Sequence, residues 1–368
     1  MTTICAEAIA MYRRTVLAGV VLAGAGLLAT GCGSGGSGGG SPAAVDAAHA
    51  AFARANHHSG SARAELKSAV AALGKANGVT ASISVGKTAE GLESLGVPTN
   101  LAGLIAGVDV TVEKQAPTGK TLADRDRGGA TSVTASNAGT DYVSVRTIDG
   151  TLYLKVDATD LLTALGATKL LSELQAVGPV LPSFLSTLLD GQWVSVSRPV
   201  ARQAAALLGV APTGIRTGAA TTRALHRLRK ALAGDTKVTR VSSGAVDVLA
   251  VSVDARRLRG PLLAVLGHLG PRNGRLLRRL LAHAPLRRVK KVRLTAQVAD
   301  GTLSGLTVNL SQFSRRRTPA VPLDISLQSS ATPITAPSGA VAITRGDLQA
   351  LRTLVAEARS LGGLNATA

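Results

Sequence analysis

Six arginines pose the first chemical question. Arg272, Arg275, Arg278, Arg279, Arg287 and Arg288 lie in a stretch, Arg256 to Arg293, that holds twelve Arg and Lys and no Asp or Glu. Helical periodicity over Arg272–Ala282 puts Arg272, Arg275 and Arg279 on one face and Leu277, Leu280 and Leu281 largely opposite. Such a basic amphipathic helix suits an anionic surface, where each cation adds about 1 kcal/mol. The other reading is a solvated helix face. The formal charge of the whole chain is +19, which attracts polyanions. Arg and Ala richness also follows from a GC-rich coding sequence.

Other chemistries find no constellation. His57-His58 sit in a polar stretch with no Cys or acidic cluster spaced to complete a metal site. His226, His268 and His283 fall in basic helical segments, as exposed helix-face residues or as anion contacts when protonated. Gly86-Lys87-Thr88 lacks the upstream glycine of a phosphate loop, because Ala81 stands there. The carboxylates Asp124, Asp126, Asp141 and Asp149 are scattered over loops, strands and turns, without the spacing of a glycosidase pair. The sequence therefore reads as non-catalytic, with no cofactor and no metal.

Cys32 is the remaining reactive side chain. It follows Met11-Tyr12-Arg13-Arg14, an apolar stretch from Thr15 to Ala29, and Thr30-Gly31. A basic n-region, a short apolar h-region and small residues before a cleavage point form a secretory signal. The apolar stretch is too short and too glycine-rich for a membrane span of about 20 residues. Met11 makes a better start than Met1, because the charged region then begins at once. The pattern resembles a bacterial lipoprotein signal, with Ala29 where Leu is more usual. The resemblance implies cleavage after residue 31 and a thioether-linked diacylglycerol on Cys32. It places the protein at the cell membrane, lipid-anchored on the extracytoplasmic side. Arg13-Arg14-Thr15-Val16-Leu17 also resembles a twin-arginine export signal, so both that route and the general one stay open. In that compartment the polyanions are acidic lipids and anionic envelope polymers, and nucleic acid is not an expected partner.

Beyond Cys32 the chain has no cysteine, so no internal disulfide forms. Aromatics are nearly absent there: Phe52, Tyr142, Tyr153, Phe184, Trp193 and Phe313. The core is aliphatic, and small side chains leave room for an apolar cavity. Residues 32–44 form the lipidated cysteine and a Gly/Ser tether reaching roughly 15–20 Å. The folded domain is expected over 45–343, with a C-terminal helix and tail over 344–368.

Helices are expected over Val45–Asn56, Ser61–Asn77, Ala158–Val177, Pro182–Leu189, Pro199–Leu208, Thr221–Leu232 and Thr344–Leu361. A further helix begins at Ala255, capped by Asp254. Thr344 and Asp347 are spaced as a capping box. Leu95–Ile105 is an inserted helical or loop segment interrupted by Pro98. Alternating runs predict strands over Val79–Val85, Val108–Glu113, Thr131–Ser136, Asp141–Thr147, Thr151–Val156, Gln192–Ser197, Thr236–Val241, Val246–Val253, Lys290–Val298, Leu303–Ser311 and Pro322–Gln328. Asp149-Gly150 and Asp300-Gly301 are hairpin turns. The order predicts an α+β fold with a largely antiparallel sheet.

Several phrases, in order, resemble the LppX/LprG-type lipoproteins, related in shape to the LolA carrier. They are Asp149-Gly150-Thr151-Leu152-Tyr153-Leu154, Gly191-Gln192-Trp193-Val194, the strand Val246–Val253 ending in Asp254, Ala299-Asp300-Gly301-Thr302-Leu303, Leu306-Thr307-Val308-Asn309-Leu310 and Val321-Pro322-Leu323-Asp324-Ile325. The resemblance implies a curved antiparallel half-barrel over helices, enclosing an apolar cavity for the acyl chains of a lipid or lipoglycan. Tyr153, Leu161, Leu165, Phe184 and Trp193 are the cavity candidates; ordinary core or rim packing is the alternative for each. The insertions at Leu95–Ile105 and Thr221–Arg288 depart from the pattern and could fill or lid such a cavity. Two functions follow: a membrane-anchored lipid binder or carrier, and a non-catalytic module holding anionic polymer or lipid through its basic helices.

Overall fold

A computed structural model describes residues 59–86, 88–94, 97, 99–124, 129–177, 181–207, 236–255, 289–313, 319–329, 332–350 and 353. Cys32, the six arginines Arg272–Arg288, and the helices expected over 45–56, 221–232 and 272–282 lie outside the described residues.

Among the described residues twelve strands form one open sheet. They are β1 Gly78–Val85, β2 Val108–Gln115, β3 Ala130–Asn137, β4 Thr140–Ile148, β5 Thr151–Val156, β6 Val194–Val196, β7 Lys237–Ser242, β8 Val246–Asp254, β9 Lys291–Ala299, β10 Thr302–Asn309, β11 Pro322–Ser329 and β12 Val341–Ala342. The spatial order is β12-β6-β5-β4-β3-β2-β1-β11-β10-β9-β8-β7. Every pair is antiparallel except β12 on β6. The fold is thus α+β with an open, largely antiparallel sheet over helices, as expected.

Hairpin turns drive this meander. Ala138-Gly139, Asp149-Gly150 and Asp300-Gly301 each place two successive residues at positive φ, between 47° and 88°. Two-residue turns of that kind match the twist of the strands they join. Register shifts at Ala135/Ser136, Arg240/Ser242 and Leu303/Gly305 interrupt three ladders, and such bulges bend and twist a sheet.

The two faces differ. Val79, Ala81 and Ile83 of β1 oppose Lys114, Val112 and Val110 of β2, and Leu327 and Ile325 of β11 oppose Ala81 and Ile83. Paired residues share a face, so these side chains form an apolar layer. It continues through Leu306, Ala296, Leu249 and Val251. The other face carries Ser82, Thr111, Thr134 and Ser144 in line across four strands.

Helix α1 (Ser59–Gly74) covers the apolar face over β7, β9 and β10. Ala62, Ala69 and Leu73 pack with Val238, Leu249, Val251, Ala296 and Leu303, all buried. Glu65 of α1 is ion-paired to Arg240 of β7. The small α1 residues let helix and sheet approach closely.

The inserted segment begins earlier than expected. It forms α2 (Ala89–Ser94) and α3 (Thr99–Gly107), whose Leu92 and Ala102 pack on Val321 at the entry to β11. The single helix expected over Ala158–Val177 is two: α4 (Ala158–Ala164) and α5 (Thr168–Val177). Gly166, at φ 68°, ends α4. Its N–H donates to the Thr163 carbonyl and that of Ala167 to the Leu162 carbonyl, a Schellman stop. Helices α6 (Ser183–Leu189) and α7 (Arg198–Leu207) follow. Strand β10 stops at Asn309, not Ser311, because the buried Asn309 side chain accepts from Ser311 and Val321 N–H groups. The Thr344/Asp347 box forms, with the Thr344 N–H donating to the Asp347 carboxylate and the Asp347 N–H to the Thr344 hydroxyl.

Candidate functional site

The apolar face is covered more completely over one half of the sheet than over the other. Under α1 most of its residues are buried, with Leu294, Leu306 and Ile325 half-buried, and Val133 and Ala135 of β3 pack against the edge of the same core. Across β3–β6 the register continues the same face as two rows. One is Val112, Val133, Val145, Leu154 and Val194; the other is Val110, Ala135, Val143 and Val156. Beyond β2 every member of these rows except Val194 is only half-buried. Aliphatic side chains on adjacent strands, incompletely covered, form a surface that an apolar ligand can complete.

One end of these rows is polar. Lys114 opposes Thr131, and Thr131 opposes Thr147. An ammonium and two hydroxyls therefore sit next to the apolar rows, on the same face. Burial holds the Lys114 ammonium below its ordinary pKa. The expected strand ended at Glu113; in the structure β2 runs to Gln115. The signal was the continuation of the Val108, Val110, Val112 period by Lys114.

The opposite face is strapped. The segment 332–343 crosses it, with Ile334 N–H donating to the Gln115 side chain and Arg146 donating to the Thr335 carbonyl. Val341 and Ile343 N–H groups then donate to the Trp193 and Ser195 carbonyls of the β6 edge. Arg146 also lies over the Trp193 ring, 4.9 Å from its centre.

The five cavity candidates divide between these settings. Tyr153 opposes Arg146 and Ser195, so it lies on the strapped, polar face, while its neighbours Leu152 and Leu154 lie on the apolar one. Trp193 meets Arg146 and belongs with Tyr153. Leu161 in α4 and Leu165 at its C-cap are half-buried, and Phe184 in α6 is buried. Helices α4 and α6 contact β4–β6.

A recess of about 450 Å³ lies between α4, α5 and α6. Its lining includes Asp157, Asp160, Gln175, Asp190, Leu171 and Leu189, and none of the five candidates. Asp157 caps α4 by accepting from the Asp160 N–H. Three carboxylates make this recess unsuited to an acyl chain or an acidic head group. Among the described residues no group of three His, Cys, Asp or Glu is placed to hold a metal ion, and no helix is long and apolar enough to cross a membrane.

No protein-family model matches the chain, and no curated protein matches it significantly. Two solved structures are similar in fold. LprF from Mycobacterium bovis is 14% identical, with 76% of this chain and 97% of that one covered, at a TM-score of 0.33. The Mycobacterium tuberculosis lipoprotein LppX is 9% identical, with 75% and 98% covered, at a TM-score of 0.32. Overlap this low transfers neither ligand nor role.

Proposed function

We propose that this protein is an envelope lipoprotein, anchored through Cys32 on the extracytoplasmic side of the cell membrane, that binds or carries a lipid or lipid-linked glycan. The observation that carries the reading is the asymmetry of one sheet face. Most of its apolar residues are buried by α1 over β7–β10, and the layer that continues over β3–β6 is half-buried except at Val194. Covering aliphatic surface gains about 25 cal/mol per Å², so acyl chains laid along these strands are held without any specific contact. The two rows and their ends span roughly 20 Å along β2, the length scale of a long acyl chain. The Gly/Ser tether would keep this face near the bilayer.

Native mass spectrometry with organic extraction of the form beginning at Gly33 tests the reading. That form keeps every described element, since the first begins at Ser59. A near-stoichiometric lipid is the expected result. A clean apo mass, with no uptake of a fluorescent acyl probe, rejects it.

The run of twelve cations between Arg256 and Arg293 favours a second role, docking on acidic lipid or anionic envelope polymer. Reversing charge at Arg275, Arg278 and Arg279 should then abolish retention on that polymer. Unchanged retention counts against it.

A further inference from the structure

We infer that Lys114, with Thr131 and Thr147 beside it, is a head-group site that selects acidic amphiphiles. The inference rests on the proposed lipid-binding reading and deepens it. Three observations converge. The first is register: Lys114, Thr131 and Thr147 stand directly opposite one another on β2, β3 and β4, on the face that carries Val112, Val133 and Val145 one step along the strands. Adjacent strands are about 5 Å apart, so Thr131 stands about 5 Å from Lys114 and Thr147 about 10 Å, and the long lysine side chain can lean toward either hydroxyl.

The second is the state of the lysine. Lys114 is half-buried, and among the described residues no hydrogen bond or ion pair engages it. Its neighbours in register are Val79 and Thr131, and Glu113 points to the opposite face. A cation kept partly out of water beside aliphatic groups, with no carboxylate paired to it among the described residues, is costly in the free protein. An anionic ligand removes that cost. Hydroxyls from two adjacent strands add donors that a single lysine lacks.

The third is polarity along the rows. At the other end Asn137 donates to the Tyr142 hydroxyl, and the charged groups are carboxylates, Asp141 on β4 and Asp157 directly after Val156. Among the described residues the cationic end is the Lys114 end, so an acidic amphiphile has one favourable orientation, with its chain over Val112, Val133 and Val145 and its acidic group at Lys114. The ligand class is an acyl lipid with a phosphate or carboxylate head.

The test uses the form beginning at Gly33 and four probes sharing one oleoyl chain: oleate, oleoyl-lysophosphatidate, oleoyl-lysophosphatidylcholine and methyl oleate. The expected result is that both acidic probes bind at least about tenfold more tightly than methyl oleate, the worth of one charge-assisted hydrogen bond. Which acid binds better tells phosphate from carboxylate. Lys114→Gln should abolish the preference while leaving methyl oleate unchanged, and Lys114→Arg should keep most of it. Thr131→Val with Thr147→Val should weaken the acidic probes without touching methyl oleate. Equal binding of all four probes by the wild type, or a preference that survives Lys114→Gln, overturns the head-group site and leaves the lipid-binding reading standing. Binding of none of the four overturns both. Thermal unfolding of each variant at or above the wild-type temperature shows that a lost preference is not lost folding.

Discussion

The guanidinium of Arg146 lies 4.9 Å from the centre of the Trp193 ring. The same group donates to the Thr335 carbonyl, so one side chain joins β4, the entry to β6 and the strap over 332–343. The pair is therefore a fastening of the polar face, away from the half-buried apolar rows. An exposed cation–π contact contributes about 0.5–1 kcal/mol. Arg146→Ala should cost roughly that much global stability. It should also raise hydrogen exchange at Ile334 to Ile343 while leaving acyl-probe binding intact. Loss of probe binding would mean that the strapped face also takes part in binding.

Backbone demands can be separated from ordinary turn preference with two glycines at the ends of β3. Gly129 has φ 96°, and a Cβ built there would stand 2.2 Å from the Gln115 carbonyl oxygen. Gly139 has φ 88° with open space around it. Gly139→Ala should cost about 1–2 kcal/mol, the strain of the left-handed conformation alone. Gly129→Ala also forces β2 and β3 apart and should cost about 2–4 kcal/mol. Chemical denaturation of both variants checks the order. Equal costs would show that the strand ends yield freely.

The two halves of the apolar face should respond oppositely to substitution. Leu249 is fully buried under α1, so Leu249→Ala leaves a cavity and should cost about 2–5 kcal/mol. Val145 is half-buried on the less covered half. Val145→Trp should change stability by less than about 1 kcal/mol yet reduce acyl-probe uptake severalfold by occupying the ligand's place. Full probe uptake by Val145→Trp would put the lipid elsewhere.

Much of the sheet was legible because its strands alternate cleanly. Val79-Thr80-Ala81-Ser82-Ile83 announces a strand with one apolar side, and Asp149-Gly150 and Asp300-Gly301 announce their turns through residues that tolerate positive φ. Local cues stop there. The pairing of β1 with β11 joins residues such as Ile83 and Ile325, which no short window relates. Strand β12 is two residues long and gains its place from β6, so its own sequence carries no period. Gly166 was hidden inside a leucine stripe whose periodicity runs on across the helix break. The site was legible in part. Tyr153 and Trp193 stand out by size, which says nothing about face, and register assigns them to the strapped side. Lys114 was overlooked because a lysine at a strand end reads as a solvent terminus, although it keeps the period of Val108, Val110 and Val112.

Lys114 also makes a prediction about pH. Burial lowers its pKa in the folded protein below its ordinary value near 10.5. At lower pH the ammonium is charged in both folded and unfolded states, and the folded state bears the full desolvation cost. As pH rises through the lowered folded value toward the unfolded one, the folded lysine loses its proton first and the cost disappears. This group therefore makes the fold more stable with rising pH across that window. Lys114→Met should unfold at a higher temperature than wild type at neutral pH, by about 1–3 °C, and the two curves should converge above the window. Saturating oleoyl-lysophosphatidate should reverse the order at neutral pH, because the bound anion stabilises the charged lysine and the methionine variant gains only the acyl contacts. A difference that ignores both pH and the acidic ligand would mean that the Lys114 ammonium is fully hydrated, and the head-group assignment would fall with it.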